Sequence, residues 1–266
     1  MIRSLIDSIA GRSGLQRFFE FLYDASLYGM NFGNTNGFKK DGERSALEYV
    51  RSRLPVQEEP LNLFDVGANK GSYSLELADI FSEKKFCIHA FEPSKPTFDV
   101  FVKNIGSRKE IIANNLGCGE KKEDLKLFTR GPVSGMSSVY KRRLDHIGID
   151  MSLVEDVSFT TVDEYCAEKN IARINFLKMD IEGHEYKCLA GAAAKLKQKS
   201  IDFIQFEFGG CNIDSRTYFQ DYWYLLHEQY HIYRIVKNGL VPIKKYNERL
   251  EVFKNINYLA ELKKDL

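Results

Sequence analysis

The stretch Leu63-Phe64-Asp65-Val66-Gly67-Ala68-Asn69-Lys70-Gly71-Ser72-Tyr73-Ser74 decides how the rest of the chain reads. An apolar, strand-like run ends in an aspartate and a glycine-bearing turn follows. The apolar periodicity of Tyr73–Phe81 then marks a helix. Free N–H groups at the start of such a helix favour a negatively charged ligand group. About twenty residues further on, a second run, Phe86–Phe91, ends in Phe91-Glu92-Pro93, where a carboxylate can accept hydrogen bonds from both hydroxyls of a ribose.

Spacing separates the two cofactor classes that use this geometry. A dinucleotide requires G-x-G-x-x-G, whose second glycine lets the backbone approach the pyrophosphate. Asn69 occupies that place here, and the pattern is G-x-x-x-G, so NAD(P) chemistry fails. S-adenosylmethionine (SAM) has no pyrophosphate. Its charged amino-acid end needs an acidic residue near the turn, which Asp65 supplies. SAM is the expected donor, held by Asp65, Gly67, Ala68, Asn69, Gly71, Tyr73, Ser74, Glu92 and Pro93.

Outward from this core, the apolar runs Leu61–Val66, Phe86–Phe91, Ile111–Leu116, Ile174–Met179 and Phe203–Phe208 alternate with helix-like stretches at Tyr73–Phe81, Thr97–Ile105 and Glu185–Leu196. That alternation predicts an α/β protein with a doubly wound, largely parallel sheet. Tyr230–Val236 and Leu240–Tyr246 flank the turn Lys237-Asn238-Gly239, so the sheet should finish in antiparallel strands. Residues 1–60 read as an N-terminal helical cap ahead of a domain spanning 61–266. Ile2, Leu5, Ile6 and Ile9 recur at helical spacing, as do Leu15, Phe18, Phe19 and Leu22, and a second helix runs from about Glu43 to Leu54. The cap is expected to pack on the main domain, a peripheral membrane or partner contact being the alternative. Gly131 to Asp156 reads as an excursion from the sheet, of a length that is usually functional or mobile. Phe219, Tyr222, Trp223 and Leu226 have the spacing of a buried helix face rather than a sugar-stacking platform.

Composition narrows the class. The 266 residues carry 38 Lys+Arg against 37 Asp+Glu, which argues against charge-driven binding of nucleic acid. No run approaches the roughly 20 apolar residues of a membrane span, and Met1-Ile2-Arg3-Ser4-Leu5-Ile6-Asp7 lacks the features of a signal peptide. The five cysteines form no CxxC pair. Reduced thiols in a cytoplasmic protein are the expectation.

Three motifs make the chain recognisable. Asp65-Val66-Gly67-Ala68-Asn69-Lys70-Gly71, Phe91-Glu92-Pro93 and Phe176-Leu177-Lys178-Met179-Asp180-Ile181-Glu182-Gly183-His184-Glu185 together resemble the FkbM family of SAM-dependent methyltransferases, with Thr161–Cys166 similar to the lead-in to the last motif. The resemblance covers about residues 60 to 210. It implies a Rossmann-like, seven-stranded class I methyltransferase sheet whose C-terminal strand is antiparallel. It also implies O-methylation, often of sugars or polyketides. The run Phe206–Phe219 looks like members linked to surface-polysaccharide biosynthesis. By similarity to the class, Asn115, or equally Asn114, would hold the adenine.

A hydroxyl acceptor must lose a proton, and the candidate bases are Asp180, Glu182, His184 and Glu207 at or beyond strand ends. His184 has the unperturbed pKa nearest neutrality, whereas Asp180 is better placed at its strand end, with orienting the methionine amine or the acceptor as its alternative roles. Ser138, Arg142, Glu182, His184 and Asn212 are the expected acceptor contacts, the arginine suiting an anionic sugar. The oxygen-rich corner of Asp180, Glu207 and Asn212 suits Mg²⁺, but such corners are common without metal and no ligand set is assigned. A small-molecule or glycan acceptor is the expected partner. The alternative function is a catalytically silent methyltransferase fold serving as a binding or scaffold subunit.

Overall fold

The computed structural model describes residues 6–7, 9–33, 42–55 and 58–264. The periodic positions Ile2 and Leu5 and the start of the N-terminal peptide lie outside them.

The strands are β1 (Leu61–Val66), β2 (Phe86–Phe91), β3 (Ile111–Asn114), β4 (Gly117–Cys118), β5 (Glu123–Thr129), β6 (Leu153–Thr160), β7 (Ile174–Met179), β8 (Ile201–Phe208), β9 (Tyr230–Val236), β10 (Gly239–Ile243) and β11 (Ile256–Leu262). Eight of them form the main sheet in the order β10-β9-β11-β8-β7-β1-β2-β3. From β3 to β8 neighbouring strands are parallel, and these are the five apolar runs of the sequence. β7 is buried at every residue, which explains why it reads as a continuous apolar run rather than an alternating one. The α/β, doubly wound class is therefore as expected.

The antiparallel finish is built differently in detail. β11 inserts between β8 and β9, antiparallel to both. The hairpin pairs β9 with β10 and so adds an eighth strand at the edge. β11 was not legible because Asn257 and Glu261 interrupt its apolar pattern; Glu261 is nonetheless buried, accepting from Tyr49 Oη at 2.6 Å and pairing with Arg53 at 2.9 Å.

Helices cover both faces. α1 (Gln16–Gly29) and α2 (Glu43–Arg53) precede the sheet; α3 (Ser72–Ile80) and α4 (Lys95–Ile105) follow β1 and β2. α5 (Val162–Glu168), α6 (Glu185–Ala190), α7 (Ala193–Lys197), α8 (Cys211–Ser215) and α9 (Phe219–Leu226) complete the set. One core packs α2, α3 and α4 on the sheet, through Leu47, Leu77 and Phe101 among others. The other packs α5, α6 and α9, where Phe219, Tyr222, Trp223 and Leu226 are all buried. The single helix expected over Glu185–Leu196 is two, broken at Gly191. A Cβ there would lie 1.9 Å from the Gly119 carbonyl oxygen.

The two N-terminal helices differ. α2 buries Ala46, Leu47 and Val50 against the sheet. α1 buries Leu27 in the main core and leaves Phe18, Phe21, Leu22 and Tyr23 exposed.

β4, β6 and β5 form a second, three-stranded sheet with a small core of Leu127, Val157 and Phe159. The excursion of the sequence is the connection from β5 to β6. It folds back on β5 through a bridge between Phe128 and Ser138, which brings Ser134–Val139 over the ends of the main strands.

Candidate functional site

The turn after β1 is set by Gly67. Its φ is +82°, and a Cβ would stand 2.0 Å from the carbonyl oxygen of Asp180. Only glycine lets the turn lie this close to the end of β7. The N–H groups of Gly67 and Ala68 both donate to Phe91 O, so the turn is tied to the end of β2 as well. Asn69, in the left-handed region at φ 49°, then donates its N–H to Glu92 Oε2 at 3.0 Å. Ser94 N–H donates to Glu92 Oε1 at 2.9 Å. Each carboxylate oxygen keeps a free lone pair. Burial raises the Glu92 pKa to about 7 against the opposing pull of the Ser94 and Asn69 N–H groups.

Glu92 opens into a cleft between the main sheet and the small one. Pro93 and Asn69 line it beside Glu92; Asp180, Glu182 and His184 line it from the end of β7. Gly117, Cys118, Leu127 and Phe159 contribute from the small sheet and its neighbourhood, and Ser137 from the excursion. A second cleft, lined by Glu43 of α2, Tyr73, Lys178 and Asp180, meets the first at Gly67, Asn69, Gly135 and Asp180. A carboxylate with spare lone pairs, apolar walls and the unpartnered Oδ1 of Asn69 fit a nucleoside donor such as SAM.

Several expected ligands lie elsewhere. Asp65 is fully buried and lines neither cleft. Its Oδ1 accepts from Lys178 Nζ at 3.2 Å and its Oδ2 from the Ser74 hydroxyl at 2.6 Å. Asp65 and Ser74 thus brace the turn from beneath, and the acid exposed beside the turn is Asp180. Lys178 is also 3.6 Å from Asp180 and stands over the Tyr73 ring at 4.7 Å. Burial disfavours its charge, but Asp65, Asp180 and Glu43 outweigh burial and raise its pKa. Tyr73 donates to Gln205 Oε1 at 3.0 Å while lining the second cleft.

Asn115 is likewise engaged by backbone groups. Its amide donates to the carbonyls of Glu92 and Pro93, both at 2.9 Å, and it lines neither cleft. Asn114 donates to Ala90 and Ile112 carbonyls. Gly117 and Cys118 reach the cleft instead. Among acceptor candidates, Ser138 donates to Glu182 O at 2.8 Å. Arg142 pairs with Glu182 and lies 3.8 Å from Asp214. The arginine side chain is only 8% exposed, and its charge is already engaged. Asn212 accepts from Gly209 N–H and donates to Tyr222 Oη, which leaves it no reach into the cleft.

The four candidate bases divide. Asp180 faces both clefts; Glu182 and His184 face the first; Glu207 faces neither. His184 Nδ1 shares a hydrogen bond with Tyr140 Oη at 3.1 Å. Burial, with the charge of Lys187, lowers its pKa to about 4, so it is neutral at pH 7. Burial pushes the pKa of Glu182 up, with Asp180 adding and the paired Arg142 opposing, and raises Glu207 well above the usual range, with Asp180 and Glu182 adding. Glu185 is structural: its Oε1 accepts from Ile181 and Gly183 N–H and holds the turn before α6. In place of the expected Asp180–Glu207–Asn212 corner, ligand atoms of Glu182, Glu207 and Cys211 lie within 4.8 Å of one another.

Lys178, Tyr140 and Glu43 were not singled out from sequence. Lys178 alone had a signal, a lysine inside an otherwise apolar strand.

The chain is similar to known methyltransferases. Hexuronic acid methyltransferase AglP of Haloferax volcanii is 26% identical over 164 residues, 60% of this chain and 61% of that protein. Methyltransferase 1 of Beauveria bassiana is 26% identical over 144 residues, 48% of this chain and 57% of that protein. The chain thus spans about three-fifths of the length of the curated relatives it matches. The crystal structure of methyltransferase FkbM from Methylobacillus flagellatus aligns with a TM-score of 0.47 at 17% identity, covering 81% of this chain and 47% of that one. The family model for the methyltransferase FkbM domain matches residues 65–234, from the buried aspartate of β1 to the hairpin strand β9. That is well over half of the sequence, and the chain belongs to the FkbM methyltransferase family.

Proposed function

We propose that the chain transfers a methyl group from SAM to a hydroxyl of a sugar-type acceptor. The observation that carries this reading is that Glu92, clipped by two backbone N–H groups, and Asp180 line one cleft. SAM supplies an electrophilic methyl on a sulfonium. Glu92 accepts the ribose hydroxyls, and the free Oδ1 of Asn69 accepts a further donor N–H or O–H. Holding donor and acceptor in line is worth about 7–11 kcal/mol. Asp180 is the proposed base, because it alone of the four candidates borders both clefts. A positioned base adds about 10²–10⁴-fold.

The acceptor class rests on the relative named for hexuronic acid methylation and on the resemblance of Phe206–Phe219 to surface-polysaccharide enzymes. Because Arg142 is engaged by Glu182, an acceptor carboxylate would be met by another cation. Lys178 is likewise engaged by Asp65 and Asp180, which leaves Lys70 at the second cleft as that cation. Incubation with methyl-labelled SAM and a panel of nucleotide sugars, lipid-linked glycans and polysaccharides tests this. Label on a sugar hydroxyl is expected. Label only on a nitrogen, or on none of the panel while SAM is bound, would contradict it.

A further inference from the structure

Glu207 lies at the end of β8 with only 8% of its surface exposed. Among the described residues its side chain makes no hydrogen bond and no ion pair. Its nearest ligand-type neighbours are the Glu182 carboxylate and the Cys211 thiol. A buried carboxylate without a partner is costly unless a cation or a proton neutralises it. Arg142 does not supply the cation, being bound to Glu182 and close to Asp214. The side chain of Glu207 is aimed at Glu182 and at the fully buried thiol of Cys211.

We propose that Glu182, Glu207 and Cys211 bind a borderline divalent transition-metal ion, of the zinc and cobalt kind, at the wall of the donor cleft. Two carboxylates and a thiolate exclude Mg²⁺ as the preferred ion, since Mg²⁺ takes oxygen ligands while a sulfur ligand selects softer metals. Metal–ligand bonds of about 2.0–2.3 Å place tetrahedral ligands roughly 3.3–3.8 Å apart. Ligand atoms within 4.8 Å need only a small closure to reach that spacing. Arg142 holds Glu182 from outside, in the manner of a group that orients a ligating carboxylate. Glu182 itself lines the cleft, so the fourth position would open towards the acceptor, as in catalytic rather than structural sites. In the metal-free protein the thiol donates to Asn212 Oδ1 at 3.5 Å. Metal binding forms the sulfur–metal bond and releases the thiol proton to solvent, with any proton carried by Glu207.

As a binding site this stands on geometry alone; as a catalytic site it rests on the methyl-transfer reading. The test titrates Co²⁺ into chelator-treated protein and follows the thiolate-to-cobalt charge-transfer band, with SAM binding measured separately by calorimetry. One equivalent should produce the band. Cys211→Ser should abolish it while SAM still binds, and Glu207→Gln should weaken Co²⁺ binding at least about tenfold. Glu182→Gln serves as a second variant should either fail to fold. No band in the wild type, or an unchanged band in Cys211→Ser, overturns the proposal. A protein that binds Co²⁺ at Cys211 but no SAM leaves the metal site standing and removes the methyl-transfer reading.

Discussion

Lys178 Nζ lies 3.2 Å from Asp65 Oδ1, and the pair is sealed between β7 and β1 with neither side chain more than 3% exposed. The strand-end aspartate of the glycine-turn motif is therefore bound to the lysine of the later motif, 113 positions away. Removing one partner of a buried pair leaves an uncompensated charge and costs about 3–5 kcal/mol. Asp65→Asn should lose stability on that scale in urea denaturation. A loss below 1 kcal/mol would show that the pair does not brace the turn.

Glu92 gives the donor site a pH dependence. Burial raises its pKa from 4.5 to about 7, so it is mainly protonated at pH 6 and ionised at pH 8. The ionised form accepts ribose hydroxyls, so SAM should bind more tightly as pH rises from 6 to 8, with proton release visible in calorimetry across buffers. The sign for the fold is opposite. A raised carboxyl pKa contributes stability that is full below 4.5 and is lost as pH rises through 7. SAM affinity flat across this range would contradict the assignment.

Asp180→Asn should lower turnover by about 10²–10⁴-fold, with fold and metal binding retained. His184→Ala should lower turnover less, because Nδ1 is engaged by Tyr140 and burial keeps the ring a weak base. Single-turnover rates with saturating SAM separate these effects from donor binding. Wild-type rates in Asp180→Asn would remove it as the base.

The two hydrophobic faces of the N-terminal region should respond differently. Leu47, fully buried in α2, should cost about 2–5 kcal/mol on replacement by alanine. Phe21, 67% exposed on α1, should change thermal stability by under about 0.5 kcal/mol when replaced by serine. A large effect at Phe21 would mean that α1 is covered in solution.

Much of the sheet was legible because buried parallel strands carry mainly apolar runs, as β1, β2, β7 and β8 do. The small sheet was not. Its strands Glu123–Thr129 and Leu153–Thr160 are half exposed and charged, and only Leu127, Val157, Phe159 and Thr160 are buried. The glycine turn, Glu92 and Asp180 could be placed because strand-end position follows from topology. Which of two neighbouring polar side chains faces a cleft could not. Asp65, Asn115, Arg142 and Asn212 all sit near the site, yet each is taken by a partner distant in sequence or by backbone groups that no spacing reveals.

The central claim is a SAM site built on Glu92, and calorimetric titration of SAM into the wild type and Glu92→Ala tests it most directly. Saturable one-to-one binding by the wild type is predicted, with affinity at least about tenfold weaker in the variant, or 1.4 kcal/mol, and with cooperative unfolding retained. No binding by the wild type at millimolar SAM, or equal affinity in the two proteins, would contradict it.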